Sequence, residues 1–182
     1  MATRKTVGAV VAGLGLVLSS VLASGGVAVA RGADPSAQRQ GVTPWAGHLA
    51  TMDAALATGD VVTAQAAWRE GYGVALGSRR WDGFADAADA ALRLGRASGS
   101  PQAGVPRARD LYLSALFRAR DTGSLDGVLR VASSFNGLGD REVTAQAVRM
   151  ADRLAAHGAT ASQRAQLAAV TADRPITIPA DI

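Results

Sequence analysis

The sequence predicts an all-α protein, an array of three helical hairpins followed by a C-terminal closing helix. Three observations carry that expectation. From Thr43 onward, apolar residues recur at helical intervals in one segment after another, as on helices with one buried face. No segment alternates apolar and polar residues with a period of two over a useful length, so no strand is expected. Finally, five residues occur twice. Val62-Thr63-Ala64-Gln65-Ala66 returns as Val143-Thr144-Ala145-Gln146-Ala147, and the copies follow Gly59-Asp60 and Gly139-Asp140. A turn pair leading into an alanine-rich helix, met twice in one chain, is the signature of a stacked helical repeat.

The first thirty residues read as a separate segment. Arg4 and Lys5 precede an uncharged apolar run from Val7 to Ala30, which closes on Ala28-Val29-Ala30 before Arg31. A basic start, an apolar stretch and a small-x-small end make a secretory signal peptide. Cleavage is expected after Ala30, with export to the periplasm or the exterior of a bacterial envelope. The alternative is a retained membrane anchor, since at ~1.5 Å per residue the run could cross a hydrocarbon core of roughly 30 Å. Membrane contact is expected only in that second case, with residues 7–30 uncleaved. Leu22-Ala23-Ser24-Gly25 has the shape of a lipoprotein box without its cysteine. The chain has 0 Cys, so no disulfide staples the fold and its core alone must hold it.

Charge argues against nucleic acid as a partner. The formal net charge is +4, and removing Arg4 and Lys5 takes it to +2. Basic and acidic residues are interleaved, as in Arg107-Ala108-Arg109-Asp110 and Arg118-Ala119-Arg120-Asp121, whereas nucleic-acid binding needs a one-sided basic field.

Residues 31–42 lack periodicity and read as a flexible linker. The helical-repeat domain is expected over 43–173, with an extended tail over 174–182. Thr43-Pro44 is a cap followed by proline at the first helical position. Trp45, Leu49, Met52 and Leu56 then share one face, with no evident cover for Trp45 and Met52 beyond the linker. Gly59 stops this first helix and Asp60 caps the second, which carries Val61, Ala64, Trp68 and Tyr72. Gly71, Gly73 and Gly77 loosen its end, which is expected near Leu76.

Ser78-Arg79-Arg80-Trp81 opens the third helix. Trp81, Phe84, Ala88, Ala91 and Leu92 line its inner side, and Leu94-Gly95 closes it. Residues 96–105, rich in Gly, Ser and Pro, are expected to form the longest loop of the domain. Pro106 starts the fourth helix, whose Leu111, Tyr112, Ala115, Leu116 and Phe117 span an arc wide enough for burial on two sides. After Thr122-Gly123-Ser124, a fifth helix carries Leu125, Val128, Leu129, Ala132 and Phe135 and ends at Gly137 and Gly139. Asp140 caps a sixth, with Val143, Ala147, Met150, Ala151 and Leu154 inward, and Gly158 stops it. Thr160 with Gln163 is a capping-box pair for a seventh helix ending near Ala172. Pro175 and Pro179 bracket Ile176-Thr177-Ile178 in the tail.

With the hairpins placed at intervals of about forty residues, the spacing resembles the tetratricopeptide repeat. Gly59, Ala64, Trp68 and Gly71 keep that family's order of turn glycine, small, large apolar and small residue, and Ala108, Tyr112 and Ala115 keep the last three. Phe84, Ala87, Ala88 and Ala91 before Gly95, and Val128, Val131, Ala132 and Phe135 before Gly139, loosely match its first helix. The resemblance covers residues 44–157 and departs from the pattern in places. The loop at 96–105 splits the middle unit. In the third, one extra residue follows Gly139-Asp140, which puts Ala145 in place of Thr144 and Arg149 at the large apolar position unless the helix shifts register. The family implies a right-handed superhelix that binds peptides or proteins in a groove, with no cofactor and no catalysis.

Residues suited to chemistry are sparse. His48 and His157 stand in no HxxxH, HExxH or GxSxG context, and three or four converging ligands are needed for a metal. Asp82, Asp86 and Asp89 fall at i, i+4 and i+7 of the third helix. A carboxylate row can bind a hard cation with help from loop carbonyls. With Trp81, Phe84, Ala88 and Leu92 on the inner side, the row is expected to be a solvated outer face. Gly13-Leu14-Gly15 and Gly71-Tyr72-Gly73 follow no strand and make no phosphate loop. The candidate binding residues are Arg79, Arg80 and Trp81, two guanidinium groups beside an aromatic ring, suited to an acidic peptide. The expectation is therefore an exported, non-catalytic binding or scaffold module with a protein or peptide partner and no metal or cofactor. A homodimer through an uncapped end of the array is the one self-association foreseen. The alternatives are a membrane-anchored accessory subunit of an envelope complex and an enzyme with an unfamiliar all-α site.

Overall fold

Glycine in the left-handed region closes one helix after another in this chain. Gly59, Gly99, Gly123 and Gly139 have φ of 76°, 70°, 65° and 75°. The hydrogen bonding repeats with the dihedral. Gly59 N–H donates to Leu56 O at 3.1 Å and Asp60 N–H reaches back to Ala55 O at 2.9 Å. The same two bonds recur at Gly99–Ser100, Gly123–Ser124 and Gly139–Asp140. This Schellman pairing satisfies the last carbonyls of a helix, and glycine makes it without the Cβ penalty of a left-handed residue.

The computed structural model describes residues 43–172. The segments between the turns form seven helices and, among the described residues, no strand. They are α1 (Ala46–Ala57), α2 (Val61–Ser78), α3 (Trp81–Ala97), α4 (Pro101–Asp121), α5 (Leu125–Gly137), α6 (Arg141–Ala155) and α7 (Ala161–Ala172). The expected leader at 1–30, linker at 31–42 and tail at 174–182 lie outside the described residues. Gly59, Gly99 and Gly139 stand forty residues apart, each inside one hairpin: α1/α2, α3/α4 and α5/α6. Within each hairpin the two helices pack on each other, and α2 on α3 and α4 on α5 join successive hairpins. The odd-numbered helices also touch in sequence, α1 with α3, α3 with α5 and α5 with α7. α7 lies against α5 and α6 and buries Val170 there. Its capping box forms as expected: Gln163 N–H donates to Thr160 Oγ1 and Thr160 N–H to Gln163 Oε1.

The expected loop at 96–105 is absent. α3 runs through Gly95 to Ala97, three residues make the turn, and Pro101 starts α4 at a position where the missing N–H costs nothing. Pro106 lies inside α4. The glycines here serve packing. A Cβ on Gly104 would lie 2.4 Å from Ala91 O, and one on Gly95 would lie 2.9 Å from Gly104 N. Two bare backbones thus meet where α3 crosses α4, the most extensive helix pair in the fold. Small residues continue this contact, with Ala87, Ala88 and Ala108 wholly buried.

α2 likewise passes Gly71, Gly73 and Gly77 and ends at Ser78. Gly71 is buried under α1, where a Cβ would lie 3.1 Å from Leu49 Cδ2. Arg79 performs the stop, adopting the left-handed conformation at φ 55° and donating its N–H to Leu76 O at 3.1 Å. The expectation that Trp45 and Met52 lack cover is also corrected: both are completely buried. Phe117, placed on the inner arc of the fourth helix, is 47% exposed under the Arg120 guanidinium.

The repeated pentapeptide is not the structural repeat. Counting from each turn glycine, Ala64, Trp68 and Gly71 of α2 correspond to Thr144, Val148 and Ala151 of α6. Thr144, Val148 and Ala151 are buried and Arg149 is exposed, so the α6 register follows the turn rather than the copied letters. Thr144 is buried with its hydroxyl donating to Asp140 O at 2.8 Å. Ala145 is only half-buried.

Candidate functional site

An open groove of about 610 Å³ lies where α2, α3 and α4 meet. α2 contributes Gln65 and Trp68, α3 contributes Ala91 and Leu94, and α4 contributes Arg107 and Asp110. The α3–α4 turn adds Ser98 and Ser100. The helix register explains the arrangement. Trp68 and Tyr72 are one turn apart on α2, and their rings stack at 5.1 Å and 11°. The Trp68 indole N–H donates to Ala87 O at 3.1 Å and thereby fixes its ring against α3. Across from them the Arg107 guanidinium sits 5.6 Å from the Trp68 ring centroid and 5.8 Å from that of Tyr72. This is a cation–π bracket between α2 and α4. Among the described residues, Arg107 makes no ion pair, whereas Arg80, Arg93, Arg109, Arg120 and Arg130 each hold an aspartate.

The odd-numbered helices are joined by a second polar system. Trp45 Nε1–H, just before α1, donates to Asp86 of α3 at 2.8 Å. Arg130 of α5 donates to Asp86 at 2.6 Å and to Asp89 at 2.8 Å. The Tyr112 hydroxyl of α4 donates to the other oxygen of Asp89. Arg93 binds Asp53 between α3 and α1, and Gln163 of α7 donates to Asp126 of α5. The expected outer carboxylate row is thus corrected for Asp86 and Asp89, which lie between helices and hold Trp45, Tyr112 and Arg130 in place. α3 packs against α1, α2, α4 and α5, so the row opposite its apolar side is partly covered as well. Burial opposes the Arg130 charge, but the two carboxylates outweigh it and raise its pKa above the ordinary arginine value. Burial, then the bond to Asp89, pushes the Tyr112 hydroxyl upward.

The residues singled out in the sequence occupy the α2–α3 junction. Arg79 is exposed in the turn. Arg80 binds Asp82 through Nε at 3.0 Å and lies 5.6 Å from the Trp45 ring centroid. Trp81 is half-buried against α5, where a Cβ on Gly127 would lie 2.8 Å from its Cδ2. Both Arg80 and Trp81 thus have partners within the fold, and neither lines the groove. Arg107 was missed because residues 96–105 read as a loop, which left it at the start of a helix. Ser100-Pro101, a start signal one turn and more upstream, was the available clue.

Among the described residues no group of three His, Cys, Asp or Glu is placed to hold a metal. None of their helices is long and apolar enough to cross a membrane. Comparison with protein-family models, curated proteins and solved structures finds no match to this chain.

Proposed function

We propose that this chain is an exported, non-catalytic binding module, tetratricopeptide-like in the stacking of its hairpins, which seats a peptide or a segment of a partner protein in the groove between α2 and α4. The observation that carries the reading is the groove itself. It is open along one side, has an aromatic residue in its wall, and mixes apolar side chains with hydrogen-bonding ones such as Gln65, Ser100 and Asp110. Such a surface suits a chain segment, whose backbone needs polar partners and whose side chains need apolar contact. The forty-residue recurrence of the same turn supports a repeat architecture, in which function rests on surfaces between units. Export rests on the leader-like residues 1–30.

Photo-crosslinking in the producing cell tests the reading. A photoreactive residue at Gln65 or Ser98 is expected to give a covalent adduct with another protein, and one at Arg164 on α7 is not. No adduct above the Arg164 level would remove the groove as a binding site. Determining the N-terminus of the purified protein separates an exported chain beginning at Arg31 from an anchored one that retains residues 7–30.

A further inference from the structure

We infer that the groove recognises a single carboxylate on an extended peptide, flanked by an apolar side chain, and that Arg107 is the residue that reads it. The inference rests on the groove being a peptide site and adds the chemistry of its occupant. Three features lead there. The Arg107 guanidinium sits beside the Trp68 and Tyr72 rings, 5.6 Å and 5.8 Å from their centroids, and the residue is exposed, which leaves its N–H edge to a ligand. That edge is the part of arginine that binds a carboxylate through two parallel bonds. Among the described residues it donates no hydrogen bond, and the two ring contacts narrow the positions open to the side chain. The ordering cost of binding is reduced accordingly. Leu94 and Ala91 provide the apolar contact beside it.

Asp110 limits the anion to one. It lines the same groove one turn further along α4 and would oppose a second carboxylate beside the first. A run of acids is therefore disfavoured, and a lone Asp or Glu next to Leu, Ile, Val or Phe is favoured.

The test uses a phage-displayed random dodecapeptide library panned on the full-length chain in mild detergent. Enriched peptides are synthesised beside twins in which the acid is replaced by its amide. The expected consensus is one acid adjacent to an apolar residue, with the amide twin binding about tenfold more weakly. Raising salt from about 0.05 M to about 0.3 M should narrow that gap, because screening weakens an accessible ion pair. Arg107→Gln should erase the difference between acid and amide, and Arg164→Gln should leave it intact. Arg107→Lys keeps the charge without the fork and should retain part of the preference, which holds the test open if Arg107→Gln disturbs α4. Enriched peptides without an acid, or an acid preference that survives Arg107→Gln, overturn the inference while the groove remains a peptide site. No enriched peptide at all removes the peptide reading and this inference with it.

Discussion

Gly104 faces the carbonyl oxygen of Ala91 so closely that a Cβ on it would stand 2.4 Å from that oxygen. Nothing flexible lies at the contact, since the obstacle is the backbone of α3. Gly104→Ala is therefore expected to force α4 away from α3. The substitution gains ~1 kcal/mol of helix propensity, but overpacking against backbone costs about 1–3 kcal/mol and opens the largest helix contact besides. Gly73→Ala and Gly77→Ala, also inside a helix, have nothing within 4 Å and should raise stability by up to about 1 kcal/mol. Urea denaturation of the three variants checks the opposite signs.

Thr63→Glu and Thr144→Glu replace the same letter of the same pentapeptide. Thr63 is exposed in the first turn of α2, and a carboxylate there complements the helix N-terminus. Its effect should stay within about 0.5 kcal/mol. Thr144 is buried, so a carboxylate there loses its water without gaining a partner. That variant is expected to be largely unfolded, and circular dichroism distinguishes the two outcomes directly.

Stability should fall at high pH through Tyr112. An unburied tyrosine titrates near pH ~10, and burial together with Asp89 pushes Tyr112 above that. As pH rises past about 10, the unfolded chain loses this proton before the native one, so unfolding is favoured. Below that pH the contribution is fully present. Tyr112→Phe keeps the edge contact with Phe135 and should flatten the decline in urea midpoint between about pH 9 and about pH 11.

Arg130→Met leaves Asp86 and Asp89 side by side with no cation between them. Their side chains are 29% and 37% exposed, so water relieves part of the cost. The expected loss is about 1–2 kcal/mol, less than the 3–5 kcal/mol of breaking a fully buried pair. Changing both aspartates to asparagine in that background should recover part of the loss. Thermal melts of the series measure it.

The hairpins were legible because their turns are written in glycine followed by a capping residue, and their helices in apolar spacing. Spacing alone puts Trp45 and Met52 on one helix face and Val128 and Phe135 on another, although it offers no cover for the first pair, which the fold buries completely. What misled was glycine itself. At Gly95 and Gly104 it permits two helices to touch, and at Gly71 it admits Leu49, yet in sequence each resembles a stop. Arg79 halts α2 without being a glycine, so no residue type announced it. The groove depends on the same contact. Arg107 meets Trp68 only because α4 begins at Pro101, and a pair thirty-nine residues apart on different helices leaves no local trace.

The copied pentapeptide ends in two different places. In α2, Val62, Thr63, Gln65 and Ala66 are all exposed, whereas in α6 only Gln146 of the five is. An antibody that reads the string as a linear peptide should find two sites on the denatured chain and no more than the one exposed copy, in α2, on the native molecule. Its stoichiometry would report on the integrity of the third hairpin without any reference to a ligand.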